Sequence, residues 1–389
     1  MILSRWWADP INKNYTYAFF KNFAFFSAVL VPFFTDWGHI SLFQVQILQS
    51  WFSIWVFALE IPTGAIADKI GRKHSLTLGA IFIAIATTLY GFIPSFAIFL
   101  TAEFLFAVGY ALNSGADQAL LYDTLKSQGR EGESKKILGR ADALSLAGMM
   151  VAAPLGSLIA ARMGLNAPQY MTAIPMLIAG ILAWSIPEPK IHTESESDKY
   201  LDIIKQGFQA IRHNPVIRTL AFDSVVVSSA AYFVVWFYQP YMQSLGIPII
   251  YFGLVHAGLL ASEILVSANF SKLELILGEG KAYLKNSALL VTAVFILAAV
   301  FKHWSSLILL IVIGGGIGYT RATYISSIAN KHIGSRHRAT VLSSIGMLRR
   351  LALVPLNPAI GYLASFSLPL AFLTISFFPL SSLLIKEEV

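Results

Sequence analysis

The stretch GAIADKIGRKHSL, Gly64 to Leu76, sets Asp68, Lys69, Arg72, Lys73 and His74 between two long apolar runs. A short link between antiparallel helices needs residues that tolerate unusual backbone angles, and Gly64 and Gly71 supply them. The flanking runs reach about 20 residues each, enough to cross about 30 Å of hydrocarbon. Composition points the same way. The chain is 56% hydrophobic and 13% charged, about half the charge fraction of a soluble protein. The fold class is therefore an all-α polytopic membrane protein.

Working outward from Gly64, apolar runs and their charged or Pro/Gly punctuation give twelve spans. They cover 13–35, 42–66, 74–93, 96–125, 136–162, 168–187, 215–243, 249–272, 283–301, 304–329, 337–364 and 367–386. The first apolar segment is full length and lacks a cleavage site, so it reads as a retained span. The loops after the odd-numbered spans carry only Arg162 and Lys302. The termini and the other loops hold the remaining loop cations, among them Arg5, Lys13, Lys69, Arg72, Lys73, Lys126, Arg130, Lys190, Lys199, Lys272, Arg336 and Lys386. This asymmetry places both termini in the cytoplasm of a multi-pass inner-membrane protein. It also accounts for the net charge of +7, so nucleic acid is not an expected partner. The absence of cysteine excludes disulfides and thiol chemistry.

Between spans 6 and 7, PEPKIHTESESDKYLDIIKQGFQAIRHNP is polar and turn-prone, then helical in its apolar spacing. It reads as a solvated cytoplasmic tether, part of it an amphipathic helix along the membrane surface. The organisation is then an N-terminal six-helix half over residues 1–187, a linker over 188–214 and a C-terminal half over 215–389. PFFTDWGHISLF (Pro32–Phe43) and PYMQSLGIPIIY (Pro240–Tyr251) echo each other at the first turn of each half. Repeated six-span halves point to a transporter with its site near the midplane.

At the charged turn, Arg72 and Lys73 serve as a topology anchor, which leaves Asp68 unexplained. An acid at a helix end wants Arg72 one turn away or the positive N-terminus of another helix, such as span 11. The spacing is not that of a phosphate-cradling P-loop. GAIADKIGRKHSL resembles the signature of the major facilitator superfamily, G-x-L-A-D-R-x-G-R-K, at Gly64, Ala67, Asp68, Gly71, Arg72 and Lys73. SGADQALLYDTL (Ser114–Leu125) and RATVLS (Arg338–Ser343) look like segments of a prokaryotic permease subgroup with unassigned substrates. The resemblance covers the whole chain. It implies two pseudo-symmetric six-helix halves and a cytoplasmic gate in which Asp68 and Arg72 meet an acid of span 4, here Asp123. Three departures stand out. The second-half echo SKLELILGEGK is eroded, Glu103 stands near the place of an expected span 4 arginine, and the span 5 antiporter motif survives only as AGMMVAAPLGS.

Ionisable groups inside spans are costly and are functional candidates. Depth arithmetic places Lys21 of span 1 level with Asp117 of span 4, and Asp223 of span 7 level with Arg321 of span 10. The resemblance makes these the cavity-lining spans, so each pair is expected to face across; static bridges that fix helix packing are the alternative. Glu263 lies level with Arg349 and Arg350, one of which is expected to be left over for an anionic ligand group. His256 shares a helix face with Glu263. Glu103 has no obvious partner and is the first candidate for proton coupling, Asp223 the second. Asn22, Tyr238 and Gln239 are further cavity candidates, with Tyr238, Gln239 and Tyr241 placed at the outer mouth.

No metal, cofactor or nucleophile–base constellation is present, so no enzyme and no cofactor is expected. The reading is a monomeric secondary transporter working by alternating access on a small molecule, with protons as the coupling ion. Efflux of amphipathic compounds leads; uptake of a small anionic metabolite is the alternative. A receptor or a lipid scramblase on the same scaffold would be the other classes.

Overall fold

A computed structural model describes residues 9–189, 200–333 and 338–384. Among the described residues every regular element is a helix. Nine helical stretches among the described residues are long and apolar enough to cross a membrane, and three further helices, Arg72–Tyr90, Arg338–Phe366 and Leu368–Leu380, occupy the remaining span positions. Of the cations used to orient the chain, Arg5, Lys190, Lys199, Arg336 and Lys386 lie outside the described residues, as does the linker over 190–199.

The chain divides into two compact units. Unit 1 comprises Met1–Ile40, Trp51–Asp198 and Ile249–Ala257; unit 2 comprises Ser41–Ser50, Lys199–Pro248 and Gly258–Val389. The first helix, α1 (Pro10–Lys21), starts where Asp9 accepts the N–H of Ile11 at 2.9 Å and Pro10 needs no donor. Then come α2 (Leu42–Ile70), α3 (Arg72–Tyr90), α4 (Phe96–Asn113), α5 (Ala116–Ser127), α6 (Ser134–Met163) and α7 (Ala167–Ser185). Unit 2 takes the first turns of α2 and adds α8 (Tyr200–His213), α9 (Pro215–Ser244), most of α10 (Phe252–Ala268), α11 (Phe270–Leu277) and α12 (Lys281–Val300). It is completed by α13 (Trp304–Leu309), a π-helical stretch over Leu310–Ile317, α14 (Gly318–His332), α15 (Arg338–Phe366) and α16 (Leu368–Leu380).

Two of the expected spans in unit 1 are broken helices. Span 1 stops at Lys21, passes through an extended Ala24, and resumes as short 3₁₀, α and π turns from Phe25 to Trp37. Span 4 is interrupted at Ser114 and Gly115, where Gly115 takes φ 77°. A side chain at that angle is strained, so glycine suits the break.

In unit 1, small residues let backbones approach closely. A side chain at Gly79 would meet the Gly109 carbonyl of α4 at 2.8 Å. On α6, side chains at Gly148 and Gly156 would overlap the carbonyl oxygens of Phe19 and Phe25. These two glycines belong to AGMMVAAPLGS, and here they admit the broken span 1 backbone.

In unit 2, α8 packs on α15. A side chain at Gly207 would collide with Ser344, and Ile211 is buried with Ile217, Tyr324, Val341 and Ile345. The helical part of the linker is therefore seated on protein rather than being a solvated tether. The first turns of α2 also pack within unit 2: the Phe43 N–H donates to Ser365 Oγ at 2.9 Å and Ser50 Oγ donates to the Val354 carbonyl at 2.7 Å.

Candidate functional site

The two breaks in unit 1 meet at a charge pair. Lys21 ends α1, and Asp117 lies in the first turn of α5. Each charge therefore complements the helix end it occupies, the cation at a C-terminus and the acid at an N-terminus. Lys21 Nζ pairs with Asp117 Oδ2, while the Gln118 N–H donates to Asp117 Oδ1 at 2.7 Å. Tyr17 supports the pair from below Lys21. Its ring lies 5.7 Å from the ammonium, and its hydroxyl donates to Asn113 Oδ1 at 3.1 Å. Side-chain exposures of 22% and 23% leave both charges reachable by small molecules.

The break in span 1 is held by polar side chains. Phe25 N–H donates to Thr172 Oγ1 at 3.0 Å, and Ser145 Oγ donates to the Ala18 carbonyl at 3.1 Å. These partners satisfy backbone groups that an unbroken helix would have paired internally. A cavity of about 490 Å³ opens at the breaks, lined by the pair together with Asn22, Ser27, Phe26, Phe106, Tyr110, Asn113, Ser114, Gln118, Met149, Thr172 and Met176. A second, water-sized cavity of about 20 Å³ lies against the same pair and reaches Asn14, Asp142 and Ser145.

Unit 2 holds its charges differently. Arg321 Nε and Nη2 donate to the two oxygens of Asp223 at 2.8 and 2.7 Å. Its remaining donors reach Ser287 Oγ and, at 2.7 Å, the Leu284 carbonyl. Side-chain exposures are 1% and 0%. This pair is closed by packing on all sides, so Arg321 and Asp223 do not stand at an open cavity as the span positions imply.

Other expectations are redrawn. Glu263 is half-buried and makes no ion pair with Arg349 or Arg350 among the described residues; Tyr319 lies within electrostatic reach of both Glu263 and Arg349. Neither arginine is left over, since both have partners. Glu103 is buried and also has a partner, against the expectation of a lone carboxyl. Tyr238 and Gln239 are buried rather than at an open mouth, because α9 is covered around its circumference there; Gln239 Nε2 donates to Tyr238 Oη at 3.0 Å. Tyr241 Oη donates to the Phe301 carbonyl at 2.7 Å. His256 is buried near the start of α10.

At the charged turn, Arg72 pairs with Asp123 of α5. Asp68 is exposed and makes no ion pair with Arg72 among the described residues. The acid at the N-terminus of α3 is Glu188, whose carboxylate accepts the Arg72 N–H. Gly71 makes room for it with φ 97°, and a side chain there would meet the Glu188 carboxylate. Gly64 lies inside α2 rather than in the turn. Lys73 places its ammonium 5.7 Å from the Trp184 ring. Glu188 escaped the sequence reading because it stands in the polar linker, 116 residues from Arg72. Its only signal is an acid between two prolines.

Among solved structures, the nucleoside transporter NupG matches with a TM-score of 0.76 at 13% identity, over 97% of this chain and 97% of that one. A bacterial homologue of the human lysosomal transporter Spinster, in an inward-facing and occupied conformation, matches with a TM-score of 0.72 at 16% identity, over 92% of this chain and 81% of its own. At these identities the likeness is one of fold. Among curated proteins no sequence matches the chain. The sequence profile of the Major Facilitator Superfamily matches residues 15–355. The chain belongs to the Major Facilitator Superfamily.

Proposed function

We propose that the chain is a secondary transporter that carries a small molecule across the cytoplasmic membrane by alternating access, with the unit 1 cavity as its binding site. One observation carries this reading: both charge-bearing helices break where Lys21 and Asp117 meet, inside a cavity of about 490 Å³. Interrupted helices with exposed ends at a charge pair are how membrane proteins form midplane sites without leaving backbone groups in lipid. A purely structural bridge needs neither the breaks nor the cavity, as the closed Asp223–Arg321 pair illustrates.

Rings and amides on the cavity wall suit an amphipathic solute, which favours efflux. The uptake reading depended on a spare arginine, and both arginines have partners. Protons are the proposed coupling ion. The coupling carboxyl is assigned to Glu263, which is half-buried and free of hydrogen bonds or ion pairs among the described residues, ahead of Glu103 and Asp223. The cation bias of the loops supports cytoplasmic termini.

Proteoliposome flux of a panel of amines, amino acids, nucleosides and carboxylates, with and without an imposed pH gradient, tests the reading. Gradient-driven accumulation of one solute class, lost on Lys21→Gln, supports it. Solute binding without flux would indicate a receptor, and lipid movement without a gradient a scramblase; either result overturns it.

A further inference from the structure

Resting on the proposal that the unit 1 cavity binds the cargo, we infer that its substrate is a zwitterion with an apolar body, an ammonium and a carboxylate on one small molecule. The argument begins with charge balance at the site. Lys21 and Asp117 satisfy one another, and each also sits at the helix end whose dipole favours its own sign. A ligand that enters between them must replace what each loses. A lone anion pairs with Lys21 and strands Asp117; a lone cation does the reverse. Stranding a partly buried charge is unfavourable, though less so than at a sealed pair. A zwitterion exchanges partners with both at once, its carboxylate on Lys21 and its ammonium on Asp117, and leaves the count of paired charges unchanged.

The rest of the cavity wall completes the pattern. Phe26 and Phe106, with ring centroids 6.1 Å apart, and Met149 form an apolar wall in the same cavity as the charges. Asn22, Asn113 and Gln118 supply polar groups beside the pair. A few convergent polar groups set in an apolar pocket fix orientation, while the apolar wall holds the body of the ligand. The pair in unit 2 lacks these features. With exposures of 1% and 0%, its charges have no room for a partner exchange.

Four matched probes test the inference by isothermal titration to the purified, detergent-solubilised full chain. L-phenylalanine is the zwitterion, 3-phenylpropanoate the anion, phenethylamine the cation and 3-phenylpropanamide the neutral analogue. L-phenylalanine should bind most tightly, with each singly charged probe weaker by about tenfold or more, as expected when one charged hydrogen bond is lost. Lys21→Met should turn the preference towards phenethylamine, and Asp117→Leu towards 3-phenylpropanoate. A merely structural role for the pair gives no such opposite changes, and binding gained by a variant shows that it is folded. If the anion, cation or neutral probe binds wild type as well as L-phenylalanine does, and that binding responds to the variants, the cavity reading stands and the zwitterion is overturned. Binding that ignores both variants, or no binding by any probe, overturns both.

Discussion

Replacing Asp223 by Asn keeps the shape of the side chain and removes its charge. Arg321 then sits at 1% exposure with only Ser287 and the Leu284 carbonyl as firm acceptors. Breaking a fully buried pair from one side costs about 3–5 kcal/mol, because the surviving charge cannot reach water. For a unit of this size, at about 2–4 °C per kcal/mol, the melting temperature should fall by about 6–20 °C. Arg321→Met alone should cost a comparable amount by stranding the carboxylate. The double variant Asp223→Leu/Arg321→Met removes both charges and should recover most of the loss, since apolar replacements of a buried pair are often neutral. Intrinsic fluorescence during heating in detergent reads all three. If the losses of the two single variants add in the double variant, the buried-pair reasoning is wrong.

The same heating assay checks three further expectations. Asp117→Asn should lower the melting temperature far less than Asp223→Asn, because Lys21 stays partly hydrated; equal losses would contradict the contrast between the two pairs. Gly115→Ala should cost about 1–2 kcal/mol from its left-handed backbone alone, since nothing lies within 4 Å of the added carbon; an unchanged stability would place the break elsewhere. Glu188→Gln should cost about 0.3–1 kcal/mol by removing an anion from a helix N-terminus, and a loss that survives high salt unchanged would argue against that electrostatic role.

How far the sequence could be read follows from which interactions are local. Apolar runs dominate hydropathy, so the spans were legible, and counting residues from their ends brought Lys21 level with Asp117 and Asp223 level with Arg321. The breaks were not legible in the same way. Asn22 and the Ser114–Gly115 step interrupt hydrogen bonding while hardly changing mean hydropathy, and a lone glycine in an apolar run is common. Nor could the sequence rank the pairs. Whether a bridge is sealed or opens on a cavity depends on side chains such as Ser287 and Met149, which lie far away in the chain. The charged turn was legible in part for a related reason. The resemblance matched Asp123 to Arg72, and the two pair, whereas Glu188, 116 residues from Arg72, gave no local signal.

The chain contains no cysteine, so a single engineered thiol reports without background. Ser114 lies at the break in span 4 and lines the cavity. Ser114→Cys, probed in right-side-out and inverted membrane vesicles with a membrane-impermeant thiol reagent, tests whether this cavity alternates between the two sides. The account predicts modification from either side, one preparation at a time, with fully buried Ala152→Cys unreactive in both. Reaction from one side alone, or from neither, would contradict a binding site that alternates its access at the Lys21–Asp117 pair.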